Sequence, residues 1–287
     1  MNNSQKHADI SPEVLQSLLS TKEIGRPTII YNEVSSTNTL GFEEAQRQAS
    51  HGTVILADCQ TAGKGRQGRF WHSPAGKNLY FSIVLTQPAY QAHASWLPLV
   101  TGIALAETLE LISGLSISLK WPNDIIIRDK KLAGILCEAR QNGDGAWAAV
   151  VGVGINIHNN QGDFPEELQG TATSLRLESH RQYDRLPLLA AFLKNVETYY
   201  ERLSSANVDA IRAEYMKRCI TLRRSIEIQL HSGNRVEGVA VDIGNDGELR
   251  IIPSESHGNQ TIMAIRSGDV IHARKPSQLI KKATISD

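Results

Sequence analysis

Gln60-Thr-Ala-Gly-Lys-Gly-Arg-Gln-Gly-Arg-Phe-Trp71, running on into His72-Ser-Pro74, is the stretch on which the fold of this chain turns. Gly63-Lys-Gly65-Arg-Gln-Gly68 formally satisfies the dinucleotide fingerprint G-x-G-x-x-G. Its context does not. A nucleotide-binding helix should follow, yet Phe70-Trp71-His72-Ser73-Pro74 is a poor helix start, and the acid due about 20 residues on is missing. No Asp or Glu occurs between Asp58 and Glu107. No G-K-[ST] closes the loop either, so it is not a Walker loop. What remains is a glycine loop carrying three cations, Lys64, Arg66 and Arg69. Exposed backbone amides and guanidinium forks make a clamp for phosphate or carboxylate. The same residues also suit a solvated basic loop, and this stretch alone does not choose.

Outward from the loop, β-rich strings alternate with longer amphipathic stretches. Strands are expected at 28–31, 54–57, 79–85, 117–120, 125–127, 135–139 and 148–157. Helices are expected at 38–49, 96–112, 187–203 and 208–217, with a short one near Val14 to Leu19 opened by Ser11-Pro12. The third is the clearest, with Leu188, Leu189, Phe192, Leu193, Val196, Tyr199 and Leu203 on one face. After Arg218 the texture changes to short strands at 226–230, 235–243, 248–252, 261–265 and 270–273. Turn residues separate them at His231-Ser-Gly-Asn234, Asn245-Asp-Gly247 and His257-Gly-Asn259. Five strands in so short a length read as a small β-barrel. The division is an extension over 1–25, an α+β domain over 26–217, a barrel over 218–275 and a tail over 276–287.

The chain has 287 residues, 41% hydrophobic and 21% charged, with 30 Lys+Arg against 30 Asp+Glu. That is enough apolar material for a real core, which excludes a disordered chain. Net neutrality argues against a nucleic-acid coat or a membrane-surface protein. Residues 1–25 hold no apolar stretch of signal-peptide length, and no run of 18 apolar residues occurs, so a cytoplasmic protein is expected. Cys59, Cys137 and Cys219 are far apart and form no C-x-x-C, so each is read as a buried free thiol and no metal site is expected.

A second segment favours the clamp. Lys120-Trp-Pro-Asn-Asp124 packs an aromatic, a rigid φ and two turn-forming side chains together, more than a connection requires. After a turn at Arg128-Asp-Lys-Lys131 comes Leu132-Ala-Gly-Ile-Leu-Cys-Glu138, where Lys131 precedes a glycine that the backbone can be approached through. Asn156, in Val151-Gly-Val-Gly-Ile-Asn-Ile157, reads by itself as a satisfied core amide. Ser35-Ser-Thr-Asn38, between a strand and a helix, reads by itself as an N-cap.

In order along the chain, Ser36-Thr37-Asn38, Gln60-x-x-Gly-Lys-Gly-Arg-x-Gly-Arg-x-Trp71, Lys120-Trp-Pro-Asn-Asp124, Lys131-x-x-Gly-Ile-Leu136 and Gly152-x-Gly-Ile-Asn156 resemble the biotin protein ligases. The resemblance runs from about residue 28 to about 275. Lys64 departs from it, since family members usually carry arginine there; the charge is kept and the planar fork lost. Bifunctional members carry an N-terminal winged helix-turn-helix, and the short segment before the first strand here is expected to be too small for one, which implies the monofunctional type and no sequence-specific DNA.

The resemblance implies a catalytic domain similar to class II aminoacyl-tRNA synthetases followed by a Src-homology-3-like barrel. It implies a two-step reaction with ATP and Mg2+ as co-substrate and biotin as substrate: biotinoyl-AMP forms, then a lysine of a biotin carboxyl carrier protein takes the biotin, with acetyl-CoA carboxylase the default source. Ser36, Thr37, Asn38 and Gln60, with Lys64, Gly65, Arg66, Lys131 and Gly134, would bind biotin. Arg66, Arg69, Trp71, Asn123, Lys131 and Asn156 would bind ATP and the adenylate, Trp71 and Asn156 at the adenine and Asn123 on the metal or phosphate side. Lys131 and Arg66 would be catalytic. No permanently bound cofactor or covalent enzyme nucleophile is implied, and a homodimer by edge-strand pairing is left open. Lipoate or octanoyl ligases of the same fold lack the glycine-arginine loop. A biotin-responsive repressor would need the DNA-reading unit. A non-catalytic module would have no use for Lys131, Arg66 and Arg69.

Overall fold

In the computed structural model, residues 10–141, 146–205, 208–230, 233–254, 261–266 and 268–276 are described. Residues 1–9, the tail beyond Pro276, and the expected turn residues His231, Ser232 and His257-Gly-Asn259 lie outside them. The first sheet has seven strands: β1 Thr28–Val34, β2 Val54–Gln60, β3 Leu79–Leu85, β4 Ser118–Lys120, β5 Asp124–Ile127, β6 Lys130–Gln141 and β7 Trp147–Ile155. Their order is β1-β2-β3-β7-β6-β5-β4. β1 and β2 are parallel and all other pairs antiparallel, so the sheet is mixed. The helices are α1 Pro12–Leu18, α2 Thr37–Gln46, α3 Leu97–Ser113, α4 Leu175–Ser179, α5 Arg185–Ser204 and α6 Val208–Arg218. A second, antiparallel sheet pairs β8 Arg224–Gln229, β9 Arg235–Ile243, β10 Leu249–Pro253, β11 Met263–Ile265 and β12 Asp269–Pro276 in the order β11-β10-β9-β8-β12.

Strand alternation makes the first sheet's two faces different. In β7, Ala149, Val151, Val153 and Ile155 join the core with Leu79, Phe81, Ile83 and Leu85 of β3. α3 and α5 cover that face: Phe81 meets the Phe192 ring at 5.5 Å, and the Thr101 and Tyr200 hydroxyls are 2.9 Å apart. The segment Pro88–Ser113 is long and apolar enough to span a bilayer, but 67% of its most apolar stretch is buried in this core. The opposite face carries Ser82, Gly152, Gly154 and Gly134. α2 lies tight against one end of it: a Cβ on Gly41 would meet Val150 at 2.8 Å. The remaining glycine strip floors a cleft.

Several boundaries differ from expectation for local reasons. β6 begins at Lys130 rather than Ile135, because the turn closes with only Arg128 and Asp129, both at positive φ (47° and 62°). Lys131 is therefore inside a strand rather than in the turn before it. α2 starts at Thr37 after Ser36, but the Ser36 side chain makes no capping bond. α4 was not legible, being five residues long.

Candidate active site

The cleft over the glycine strip has a volume of about 780 Å³. Every residue assigned to a site from the sequence lines it: Ser36, Thr37, Asn38, Gln60, Lys64, Gly65, Arg66, Arg69, Trp71, Asn123, Lys131, Gly134 and Asn156. They come from β2, the start of α2, the glycine loop, the β4–β5 turn, β6 and the end of β7.

One end is a buried polar network. Thr37 N–H donates to Gln60 Oε1 at 2.9 Å, and Gln60 Nε2 donates to Ser73 Oγ at 3.0 Å. The Ser82 hydroxyl lies 2.7 Å from Asn38 Oδ1 and 2.8 Å from Thr37 Oγ1. Asn38 Nδ2 donates to Glu138 Oε2 at 2.9 Å. Gly152 is required here, since a Cβ would fall 2.0 Å from Asn38 Oδ1. Such an end offers donors and acceptors to a polar, uncharged ring.

The glycine loop folds back as a hairpin: Gly65 N–H donates to Arg69 O at 2.7 Å and Trp71 N–H to Gly63 O at 2.9 Å. Gln67 (φ 55°) and Gly68 (φ 72°) take left-handed geometry at its tip. Lys64, Arg69 and Phe70 are exposed, while Trp71 turns inward onto the glycine strip. A Cβ on Gly154 would lie 2.4 Å from the indole nitrogen, which is itself buried without a hydrogen-bond partner.

Lys131 also lines the cleft. A bulge in the β5–β6 ladder, pairing Ile125 with Ala133 but Ile126 with Lys131, lets Leu132 and Ala133 both enter the core and turns Lys131 into the cleft. Its backbone is bridged to the segment around Ala172, with Lys131 N–H donating to Thr171 O at 2.8 Å and Thr173 N–H to Lys131 O at 2.9 Å. Its ammonium pairs with Asp124 Oδ1 at 2.6 Å and lies 5.3 Å from the centre of the Trp71 ring.

Asn123, expected on the metal or phosphate side, lines the cleft, accepts from Arg66 Nη1 at 3.2 Å on its carbonyl oxygen and donates its amide to Ile135 O at 2.9 Å. The buried-thiol reading needs correction: Cys59 and Cys137 are half-buried, and only Cys219 is fully buried. Asn156 is 5% exposed and donates to Thr173 O at 3.0 Å, as a satisfied core amide does, and it also lines the cleft. Asp124 ends the Lys120–Asp124 segment, and its meeting with Lys131 depends on a tight hairpin with a bulge, which residue types alone do not signal.

Residues 31–156 match the model of the biotin/lipoate A/B protein ligase family. The biotin–[acetyl-CoA-carboxylase] ligase of Mycobacterium tuberculosis is 32% identical over 249 residues, covering 84% of this chain and 88% of that protein. The bifunctional ligase/repressor BirA of Bacillus spizizenii is 30% identical over 266 residues, covering 93% and 80%. The chain belongs to the biotin protein ligases. The ligase also shares its fold with the Aquifex aeolicus biotin protein ligase solved with biotin and ATP, at 29% identity and a TM-score of 0.73 over 87% of this chain and 99% of that one.

Proposed function

We infer that the protein is an ATP-dependent biotin protein ligase, which activates biotin as biotinoyl-5'-AMP and transfers it to a lysine of a carboxylase's biotin carboxyl carrier protein. The observation that carries this reading is the position of Lys131. Its ammonium lies against Gly134 and the Trp71 ring, in a cleft lined both by the hydroxyls and amides of Thr37, Asn38 and Gln60, suited to a ureido ring, and by the cationic glycine loop, suited to a triphosphate. In the first step a biotin carboxylate oxygen bonds to the α-phosphorus and pyrophosphate leaves. Two anions meet, so the principal task is charge cancellation. Lys131 and Arg66 supply it, with Arg69 and Lys64 at the mouth of the cleft. In the second step the carrier lysine's amine attacks the acyl carbon, AMP departs, and the amine loses its proton.

We assign biotin's ring to Ser36, Thr37, Asn38 and Gln60, its chain to the surface around Gly134, and adenine to Trp71 and Asn156. The orphaned Trp71 indole N–H supports a ligand acceptor at that end. Mg2+ would arrive on the ATP phosphates, where one or two carboxylates suffice to hold it; Asp124 is the carboxylate nearest Lys131. The resemblance to class II synthetases and to a Src-homology-3 barrel belongs to the same reading, as does a cytoplasmic location beside ATP and the carboxylase. A homodimer formed by edge pairing would have to use β1, because Cys219 and Ile220 already run along the outer edge of β4.

Biotin-dependent exchange of labelled pyrophosphate into ATP tests the reading, with lipoate and octanoate run in parallel. Exchange with biotin alone is expected. Lys131→Ala is expected to abolish it while the thermal midpoint stays near the wild type's. A mutant with near-wild-type exchange would remove Lys131 from the mechanism.

A further inference from the structure

Both central cations of the cleft rest on one turn. Arg66 donates to Asn123 Oδ1, and Lys131 pairs with Asp124 Oδ1. The same turn is tethered on its far side by chain outside the seven-stranded sheet. Ile220 N–H donates to Leu119 O at 2.8 Å, so Cys219–Thr221 follows the edge of β4. Trp121 N–H then donates to Thr221 Oγ1, and Trp121 Nε1 to Gly247 O, each at 3.0 Å. Thr221 is 0% exposed and Trp121 2%. Arg223 N–H, two residues on, bonds to Ala240 O at 2.7 Å and ties this segment to β9 of the second sheet. A continuous set of hydrogen bonds therefore runs from the second sheet to the cation pair, and Thr221 is its buried side-chain link.

We propose that Thr221 is a positioning residue for adenylate formation: it fixes the Trp121–Asp124 turn and, through Asn123 and Asp124, sets the places of Arg66 and Lys131. This rests on the ligase reading above. Thr221→Val keeps the shape and removes the acceptor, leaving a buried Trp121 amide unpaired, so the turn must shift to recover a partner. Displacing catalytic groups by about 1 Å costs up to about a hundredfold in rate. The polar end of the cleft is held chiefly by its own bonds among Thr37, Asn38, Gln60, Ser73 and Ser82.

The experiment compares the wild type, Thr221→Val, Thr221→Ser and Trp121→Phe in two assays, with thermal midpoints measured alongside. One is biotin-dependent pyrophosphate exchange; the other is transfer from supplied biotinoyl-AMP to the carrier protein. Thr221→Val should lose about ten- to a hundredfold in the kcat of exchange. Transfer at saturating biotinoyl-AMP should fall less than exchange, and Thr221→Ser should restore exchange. Trp121→Phe, which cuts the second tether, should show the same selective loss and serves if Thr221→Val does not fold. Wild-type exchange in both Thr221→Val and Trp121→Phe overturns the proposal. So does loss of exchange and transfer in equal proportion, or failure of serine to rescue. A wild-type protein without biotin-dependent exchange would instead overturn the ligase reading itself.

Discussion

Arg66 is the fork of the glycine loop already turned across the cleft, whereas Lys64 and Arg69 are exposed at its rim. Lysine at position 64 has given up bidentate geometry, so retention of a bound phosphate falls chiefly to Arg66. Removing it should weaken the hold on biotinoyl-AMP more than it weakens chemistry, because Lys131 keeps its bulge and its Asp124 partner. Loss of a charge-assisted bond, about 1.5–3 kcal/mol, corresponds to roughly ten- to a hundredfold faster escape of the adenylate if all of it appears in the off-rate. Arg66→Gly is therefore expected to label bystander proteins when incubated with ATP and biotin and blotted with streptavidin. Labelling confined to the carrier protein, with a wild-type off-rate for the adenylate, would show that the lid role is misassigned. The cleft residues themselves were legible because each sits in a short motif of unusual residue types. Their partners were not. Asp124 meets Lys131 through a register shift, and Thr221 reaches Trp121 from 100 positions away, and no local pattern records either.

Among elements, β3 lies where its apolar run, interrupted by Ser82 alone, predicts, since a strand buried on both faces needs no alternation to be read. β6 was read short because Lys130, Lys131 and Gly134 look like turn residues, and only the bulge reconciles them with a strand. α5 was read from its apolar stripe, yet the stripe hides Glu197, which is buried on the same helix. Its carboxylate accepts the backbone N–H groups of Lys22, Glu23 and Ile24 at 2.8–3.1 Å, fixing the segment that leads from α1 into β1. Burial pushes its pKa up, but these N–H bonds and Lys194 outweigh that, and the net shift is downward. A depressed carboxylate contributes stability in full above its ordinary value of 4.5 and loses it as pH falls through the folded value. Glu197→Gln places an NH2 against N–H donors and should cost about 1.5–3 kcal/mol at neutral pH. Urea midpoints of mutant and wild type should converge as the pH drops below that ordinary carboxylate value. A pH-independent gap would mean that the charge of Glu197 contributes nothing.

On the scale of the whole molecule, periodicity separates two sheets but is silent on how they meet. They meet through Trp121 on Gly247, Trp96 Nε1 on Asn245 O at 2.7 Å, and Arg212 with Asp242 at 2.6 Å. Trp and Arg are read from sequence as core or surface residues, so junctions built on backbone carbonyls leave no trace there. The same scale bears on the question raised by relatives named as both ligase and repressor. Sequence-independent affinity for DNA comes from neutralising phosphates with clustered cations, and specific recognition usually builds on that base. Here 30 cationic side chains are balanced by 30 anionic ones. The first helix among the described residues, Pro12–Leu18, carries Glu13 and no Lys or Arg, so that helix lacks the composition of a groove-reading one. We therefore expect neither the free nor the biotinoyl-AMP-loaded protein to bind labelled biotin-operon promoter DNA more tightly than about 1 μM at physiological salt, the range of non-specific association. The titration should be repeated at lower salt, where any residual affinity ought to rise equally for promoter and random sequence, because screening acts on phosphates and not on base edges. Sub-micromolar binding competed by promoter but not by random DNA would show that the chain reads sequence despite its charge balance.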